Sequence, residues 1–292
     1  MSARIEPLPL PKNLRHQADE HPDWVGALPG VVHALTARWS LDLGSPFEPG
    51  GETAWVAPAL RRPDGRELVL KVLCPHDEAR HEAEGLKVWA GEGAVGILDA
   101  WQGDGAWALL LERCVPGTTL RERPEEEQDR VVASLLPRLW RPAPGPPFRP
   151  LEAMCAFWAA GFERALAAGA RSPGDGALVR DGLAAWRELP RSAPRRMLLW
   201  TDLHAGNILA AKRAPWLAID PKPYEGDPTY DALQHMLNCE ARLLADPRAL
   251  TDRMAALLDL ERARLGLWLF ARAVIESPHR PALASVARAM AP

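Results

Sequence analysis

The segment LWTDLHAGNIL at residues 199–209, followed by LAIDP at residues 217–221, is the part of this sequence that decides the fold and the chemistry. We interpret the segment as two strands, Asn207–Ala211 and Trp216–Asp220. A loop of four residues, a common hairpin length, joins them. The segment therefore predicts a β-hairpin with polar residues at its open end.

Three polar side chains of this hairpin suit the binding of a cation and a hydroxyl group. If Asn207 lies opposite Asp220, both side chains share one face, and an amide oxygen and a carboxylate can bind one Mg²⁺ there. Asp202 lies five residues before Asn207, on the loop that enters the hairpin. Asp and Asn often cap turns, which explains each residue taken alone. The three residues together favour a catalytic site.

The pattern D-L-H-x-G-N-I-L followed by I-D-P resembles the catalytic and metal-binding segments of aminoglycoside phosphotransferases, a branch of the protein-kinase-like fold. The longer run WLAIDPKPYEGDPTYDALQHMLN, at residues 216–238, is more similar to the streptomycin 6-kinase and hydroxyurea-resistance kinase family. The resemblance implies that Asp202 is the catalytic base and that Asn207 and Asp220 are Mg²⁺ ligands. Many kinases have a structural histidine two residues before that Asp, where this chain has Trp200.

A kinase also needs a strand lysine for the nucleotide phosphates and a helix glutamate that holds the lysine. Lys71 is the only basic residue within the apolar run 69–72. In the helix predicted from Pro75 to about Ala90, Glu82 falls within the apolar stripe, whereas Glu84 faces away. We therefore expect Glu82 to pair with Lys71 and Glu84 to be solvated.

Two further segments are candidates for nucleotide binding. Gly51, in the run GGET before the first strand of a predicted hairpin, lies where a phosphate-covering loop is expected, although most glycine pairs are simply turns. Glu112 and Cys114 belong to the run LLLERCVPG at residues 109–117, which resembles the connector between kinase lobes. There we expect the backbone, more than any side chain, to hold adenine.

The region after Asp220 is acidic. Residues 220–246 hold six acids and two bases, a local charge of −4, which favours a cationic acceptor. Glu225, Asp231 and His204 are the candidate substrate residues. Structural roles remain open for them, because Asp231 can instead bind the backbone of the catalytic loop and His204 can stabilise that loop. Asp227, which precedes a proline, suits a helix N-cap.

The order of the predicted elements is typical of an α+β architecture. We expect a protein-kinase-like fold of two lobes, an N-terminal antiparallel sheet lobe and a helical C-terminal lobe, with a cleft between them. Residues 1–113 are predicted as the nucleotide-binding lobe and residues 114–292 as the catalytic and substrate lobe. The proline-rich stretch 141–150 excludes a helix or a central strand and is either a linker or an ordered connection.

Composition excludes several classes of protein. The chain has 292 residues, of which 47% are hydrophobic and 25% charged, so it is not disordered overall. A pI near 6.3 argues against a nucleic-acid partner. The longest apolar run, at 265–271, is too short for a membrane span, and residues 1–6 do not resemble a signal peptide. Four widely spaced cysteines without a C-x-x-C pair argue against zinc. We expect a cytoplasmic protein with reduced thiols.

These features together predict an ATP- and Mg²⁺-dependent O-phosphotransferase that acts on a small molecule. The resemblance implies an antibiotic-resistance enzyme, with streptomycin phosphorylated at its 6-hydroxyl as the first candidate reaction. A kinase for hydroxyurea or another small metabolite is the alternative. A nucleotide-binding pseudokinase is a third possibility, but the complete set of kinase residues argues against it. Nothing in the sequence indicates an oligomeric state.

Overall fold

The computed structural model of the protein describes residues 8–103 and 105–292. Residues 1–7, on which the expectation about a signal peptide depends, and Asp104 lie outside these residues. The helices are α1 Gln17–Glu20, α2 Pro22–Trp39, α3 Glu82–Trp89, α4 Glu125–Leu139, α5 Leu151–Ala167, α6 Gly176–Glu188, α7 Ala232–Asn238, α8 Glu240–Ala245, α9 Pro247–Leu258, α10 Arg262–Glu276 and α11 Leu283–Met290. The strands are β1 Leu41–Leu43, β2 Ala54–Arg61, β3 Arg66–Leu73, β4 Ile97–Gly103, β5 Ala106–Glu112, β6 Arg141–Pro142, β7 Arg149–Pro150, β8 Met197–Leu199, β9 Ile208–Ala210, β10 Trp216–Ala218 and β11 Tyr224–Gly226.

The chain divides into two compact units. The first unit is Met1–Gly117 together with Ala211–Leu217, and the second is Thr118–Ala210 together with Ala218–Pro292. The turn of the β9–β10 hairpin thus belongs to the first unit although it comes late in the sequence. The nucleotide-binding and substrate-binding roles of residues 1–113 and 114–292 stay predictions.

The first unit is built on a five-stranded antiparallel sheet with the order β1-β2-β3-β5-β4. The apolar run 69–72 lies on the central strand β3, where its Leu and Val side chains are mostly buried. Lys71 of this strand pairs with Val56 on one side and Leu109 on the other. Helix α2 packs its apolar stripe on the sheet and completes the core.

The second unit is mostly helical and contains a four-stranded sheet with the order β6-β8-β11-β7. Strands β9 and β10 form a separate two-stranded sheet, in which residues 216–217 of β10 are assigned to the first unit. Strands β6 and β7 come from the proline-rich stretch and occupy the two edges of their sheet, where a missing N–H is tolerated. The stretch is therefore an ordered connection, and the prediction that it excludes a central strand is confirmed.

Some helices differ from those predicted. Helix α4 was not predicted at all, although three acids in its first turn suit a helix N-terminus. The helix expected from Pro75 to Ala90 is a short 3₁₀ turn, Asp77–Ala79, followed by α3. The sequence pattern also predicts one helix over residues 229–244, but the structure has a 3₁₀ turn and two helices there, since Cys239 leaves helical geometry between α7 and α8.

Among the described residues, every helix is either too short or too polar to cross a bilayer.

Candidate active site

The hairpin that carries the predicted metal ligands has a register one residue away from the expected one. The amide nitrogen of Ile219 donates to the carbonyl oxygen of Asn207 at 2.9 Å, so Asn207 lies opposite Ile219 and the predicted pairing with Asp220 is wrong. The connection between β9 and β10 has five residues, one more than expected. Asp220 follows the paired segment with a left-handed φ of 61°, a conformation uncommon for residues other than glycine.

Asp202 nevertheless lies beside Asn207. The side-chain nitrogen of Asn207 donates to the backbone oxygen of Asp202 at 3.1 Å and to its Oδ2 at 3.4 Å. The ammonium of Lys222 lies 3.3 Å from the same Oδ2. Both contacts use Oδ2, which leaves Oδ1 as the carboxylate oxygen for a substrate. Sequence reasoning did not select Lys222, although it falls within the quoted run at 216–238.

Asp231 fixes the loop that carries Asp202 by accepting hydrogen bonds from its backbone. The fully buried carboxylate of Asp231 accepts from the amide nitrogens of Trp200, at 3.0 Å, and Thr201, at 2.7 Å, and from the indole of Trp140 at 3.1 Å. Burial raises the pKa of Asp231 to about 6, against the opposing effect of these donors. Of the two roles considered for Asp231, the structure favours support of the loop that carries Asp202.

His204 also supports this loop. Its Nδ1 accepts from the amide nitrogen of Gly206 at 3.1 Å. Burial lowers the pKa of His204, although the charges of Asp202 and Asp220 oppose that effect. A neutral ring suits an acceptor at Nδ1. A Cβ on Gly206 would lie 2.9 Å from the His204 ring, so a glycine is needed here.

Lys71 and Glu82 form a buried ion pair in the first unit. Lys71 Nζ lies 2.7 Å and 2.8 Å from the two carboxylate oxygens of Glu82, and the residues are 7% and 2% exposed. The predicted pairing is confirmed. The expectation that Glu84 is solvated is wrong, because Glu84 is half-buried and its Oε2 is buried with no hydrogen-bond partner among the described residues. Glu84 lines a cavity between α3 and strands β4 and β5.

The connector residues have clear structural contacts. Glu112 accepts from the guanidinium of Arg213 at 2.7 and 2.9 Å and from the amide nitrogen of Gly96 at 2.9 Å. The bond from Arg213 lowers the pKa of Glu112. Burial raises the pKa of the Cys114 thiol to about 11. The Glu112 side chain is thus hydrogen-bonded within the protein, and the Cys114 thiol stays protonated at neutral pH. Both observations agree with the expectation that the backbone of the connector, more than its side chains, holds adenine.

Gly51 lies three residues before the start of β2, in a segment that contacts the N-terminal part of the chain. The adjacent Gly50 has φ +84°, and a Cβ there would lie 2.4 Å from Pro11. The side chain of Asn13 donates to the Gly50 carbonyl at 3.2 Å. The loop is thus held in one conformation, and the phosphate-binding role of Gly51 stays a prediction.

The acids after Asp220 are mostly used within the protein. Glu225 is 8% exposed and accepts from the amide nitrogen of Gly145, which fixes the proline-rich connection. Asp227 is fully buried, caps the turn at Thr229 as predicted, and binds Arg264 at 2.6 Å. The acidic segment therefore does not form the open anionic surface that the local charge suggested.

The residues present suit one Mg²⁺ ion. Because Asn207 uses its side-chain nitrogen on Asp202, its amide oxygen is turned away and is a suitable ligand. Burial lowers the pKa of His204, whereas the charges of Asp220 and Asp202 both raise it, so Asp220 lies near the loop that carries Asp202. Amide and carboxylate oxygens are the hard donors that Mg²⁺ prefers.

A second group of potential metal ligands is unsuited to a cation. Asp129, His235 and Cys239 lie together in the second unit. However, Asp129 accepts from Arg242 at 2.9 Å and from Arg253 at 2.5 Å, as well as from His235. Burial would raise the pKa of Asp129, but these donors outweigh it and lower the pKa. Two guanidinium groups thus occupy the carboxylate that a metal would need.

Comparison with solved structures defines the class of the fold. The chain resembles aminoglycoside phosphotransferase APH(4)-Ia bound to AMP-PNP and hygromycin B, with a TM-score of 0.54, 18% identity and coverage of 89% of this chain and 97% of the other. It also resembles choline kinase LicA of Streptococcus pneumoniae, with a TM-score of 0.55, 12% identity and coverage of 89% and 91%. The predicted α+β, protein-kinase-like fold is confirmed.

Sequence comparison defines the family. The family model described as aminoglycoside/hydroxyurea antibiotic resistance kinase matches residues 44–280. The hydroxyurea phosphotransferase of Kitasatospora aureofaciens is 36% identical, covering 89% of this chain and 75% of the relative. The streptomycin 6-kinase of Streptomyces glaucescens is also 36% identical, covering 87% and 83%. The chain belongs to the aminoglycoside/hydroxyurea antibiotic resistance kinase family and is a phosphotransferase, as the sequence predicted.

Proposed function

We propose that this protein transfers the γ-phosphoryl group of ATP to a hydroxyl group of an aminoglycoside, with the 6-hydroxyl of streptomycin as the favoured acceptor. The observation that carries the proposal is the placement of Asp202, whose Oδ2 is held by Asn207 and Lys222 while Oδ1 stays available. A carboxylate held in this way suits a base that must meet an acceptor hydroxyl.

In the proposed reaction the acceptor oxygen attacks the γ-phosphorus, and its proton passes to Oδ1 of Asp202. The bond between the γ-phosphorus and the β,γ-bridging oxygen breaks, and ADP leaves with the electron pair. The proposal assigns Lys71 to the α- and β-phosphates and Glu82 to holding Lys71. Gly51 and the backbone of residues 112–114 would bind the rest of the nucleotide.

Asn207 and Asp220 are the proposed Mg²⁺ ligands. A bound Mg²⁺ would offset phosphate charge. The chain's own contribution is the orientation of Asn207 through its contacts with Asp202. Use of ATP as the phosphoryl donor suits the predicted cytoplasmic location.

Two relatives support streptomycin as the acceptor. The streptomycin 6-kinases of Streptomyces glaucescens and Streptomyces griseus are 36% and 34% identical to this chain. The acidic segment no longer supports a cationic acceptor, because Glu225, Asp227 and Asp231 bind groups of the protein itself. Hydroxyurea remains the second candidate, since the hydroxyurea phosphotransferase matches equally well in identity.

A direct competition between acceptors tests this proposal. ADP release is followed with Mg·ATP and either streptomycin or hydroxyurea, and the phosphorylated position is identified by ³¹P NMR and mass spectrometry. We expect kcat/KM to be higher for streptomycin, with phosphate on the 6-oxygen. A higher kcat/KM for hydroxyurea would refute streptomycin as the favoured acceptor, while the proposed phosphoryl transfer from ATP would stand.

A further inference from the structure

We infer that Lys222 is a positioning residue for phosphoryl transfer, acting through Asp202 by holding one carboxylate oxygen so that the other faces the acceptor. The inference rests on the proposed function and adds a residue to it. The ammonium of Lys222 lies 3.3 Å from Asp202 Oδ2, and Asp202 is only 15% exposed at its side chain. The pair is therefore more protected from water than an ordinary surface ion pair.

The backbone of Lys222 is fixed on the loop that carries Asp202. Its amide nitrogen donates to the carbonyl oxygen of Trp200 at 3.0 Å, and its carbonyl oxygen accepts from the hydroxyl of Thr201 at 2.5 Å. Pro221, which precedes it, has a restricted φ. These backbone hydrogen bonds fix the Cα atom of Lys222 relative to Asp202. The ammonium therefore reaches the carboxylate from a backbone that is already ordered.

Two donors hold the same oxygen of Asp202 from different sides of the loop. Asn207 reaches Oδ2 from the residues after Asp202, whereas Lys222 reaches it from the segment after β10. A carboxylate has two oxygens related by rotation about its terminal bond. Fixing Oδ2 with two donors also fixes Oδ1, which is the oxygen that the proposed reaction requires.

The charge of Lys222 also suits this position. Asp202 and Asp220 both lie close enough to act on His204, and the reaction brings a polyphosphate to the same region. An ammonium on Asp202 offsets part of this negative charge while leaving the base in place. Loss of the ammonium is thus expected to affect the chemical step more than the binding of either substrate.

The first test is a double-mutant cycle with Lys222→Met, Asp202→Asn and the double variant. We expect Lys222→Met to lower kcat by about 10²-fold, the scale of a misplaced reacting group, with the KM for ATP and for acceptor nearly unchanged. The double variant is expected to be little slower than Asp202→Asn alone, because the main role assigned to the lysine is to position that carboxylate. Lys212→Met, which removes an exposed lysine from the same hairpin, is the matched control.

Restoring the positive charge at position 222 distinguishes a positioning role of Lys222 from a role in the stability of the fold. Lys222→Cys is alkylated with 2-bromoethylammonium, which rebuilds an ammonium of nearly lysine length, or with iodoacetamide, which adds a neutral group. The natural cysteines of the chain are buried, which favours reaction at position 222. We expect kcat to recover with the ammonium and to stay low with the neutral group.

The inference would be overturned by normal kcat in Lys222→Met, by multiplied effects in the double variant, or by equal rescue with the neutral group. A raised KM for ATP with unchanged kcat would also overturn it, since the lysine would then bind phosphate in the ground state. Full activity of Asp202→Asn, or no transfer by the wild type, would instead refute the proposed function. The two failures are therefore distinguishable in one set of assays.

Discussion

The guanidinium of Arg213 binds both carboxylate oxygens of Glu112, a residue 101 positions earlier in the sequence. The same guanidinium donates to the carbonyl oxygens of Gly91, at 2.7 Å, and Ala94, at 2.9 Å. One side chain thus ties the β9–β10 turn to the end of β5 and to the loop after α3. These contacts explain why residues 211–217 belong to the first unit.

We expect Arg213→Met to lower the free energy of unfolding by about 1–2 kcal/mol, because it removes charge-assisted hydrogen bonds at a partly exposed site. Hydrogen exchange should increase at the amide of Gly96, whose acceptor Glu112 loses its partner. Urea unfolding and exchange measurements check both effects. Lys212→Met, at the neighbouring exposed position, should change neither; equal effects of the two variants would contradict the assigned role of Arg213.

We expect opposite effects from substitutions of the two glutamates of α3, because Glu82 is paired with the buried Lys71 and Glu84 is not. Glu82→Gln leaves the Lys71 charge buried beside a neutral group, so we expect a loss of about 3 kcal/mol in unfolding free energy and a raised KM for ATP. Glu84→Gln should be neutral or stabilising, because it removes the charge from a carboxylate that has one buried oxygen without a hydrogen-bond partner among the described residues. Thermal unfolding and ATP titration compare the two, and a larger effect at Glu84 would contradict this assignment.

Asp231 predicts a pH dependence of stability. Its folded pKa of about 6 lies above the unfolded value of 3.8, so the unfolded chain releases this proton first as pH rises. Its contribution to stability is therefore greatest below pH 4 and falls by about 3 kcal/mol between pH 4 and 6. The unfolding free energy of the wild type relative to Asp231→Asn should decrease over that range. An increase would mean that the hydrogen bonds outweigh burial.

We expect Asp220 to bind Mg²⁺ and to affect nucleotide affinity only when Mg²⁺ is present. Asp220→Ala should weaken ADP binding in the presence of Mg²⁺ and leave binding without Mg²⁺ nearly unchanged, because the variant loses a hard oxygen ligand. Calorimetry with and without Mg²⁺ measures both affinities. Equal weakening in the two conditions would remove Asp220 from the metal site and point to a structural role.

Local patterns in the sequence were enough to predict much of this molecule. The helical phase of Glu82 predicted its pairing with Lys71, and the apolar run around Lys71 predicted a strand, which is β3. The segment around Asp202 could be matched to a known family because its residues are close in sequence. The predictions that failed depend on other information: the register of Asn207 changes with one residue of turn length, and the partial burial of Glu84 depends on packing.

Long-range contacts were not accessible from the sequence. Arg213 and Lys222 lie outside helices and strands, and neither belongs to a periodic pattern that would identify a partner. The acids after Asp220 illustrate the same limit, because summed charge does not distinguish a solvated carboxylate from one such as Asp227, which is buried against Arg264. Their structural use became visible only from their burial and their donors.

The measurement that most directly tests the central claim is single-turnover transfer of ³²P from [γ-³²P]ATP to streptomycin by the wild type and by Asp202→Asn. Nucleotide affinity is measured on the same samples. We expect the wild type to form phosphorylated streptomycin, and the variant to be slower by about 10²-fold or more, the scale of general-base catalysis, with ATP affinity nearly intact. Transfer at the wild-type rate by Asp202→Asn would contradict the account.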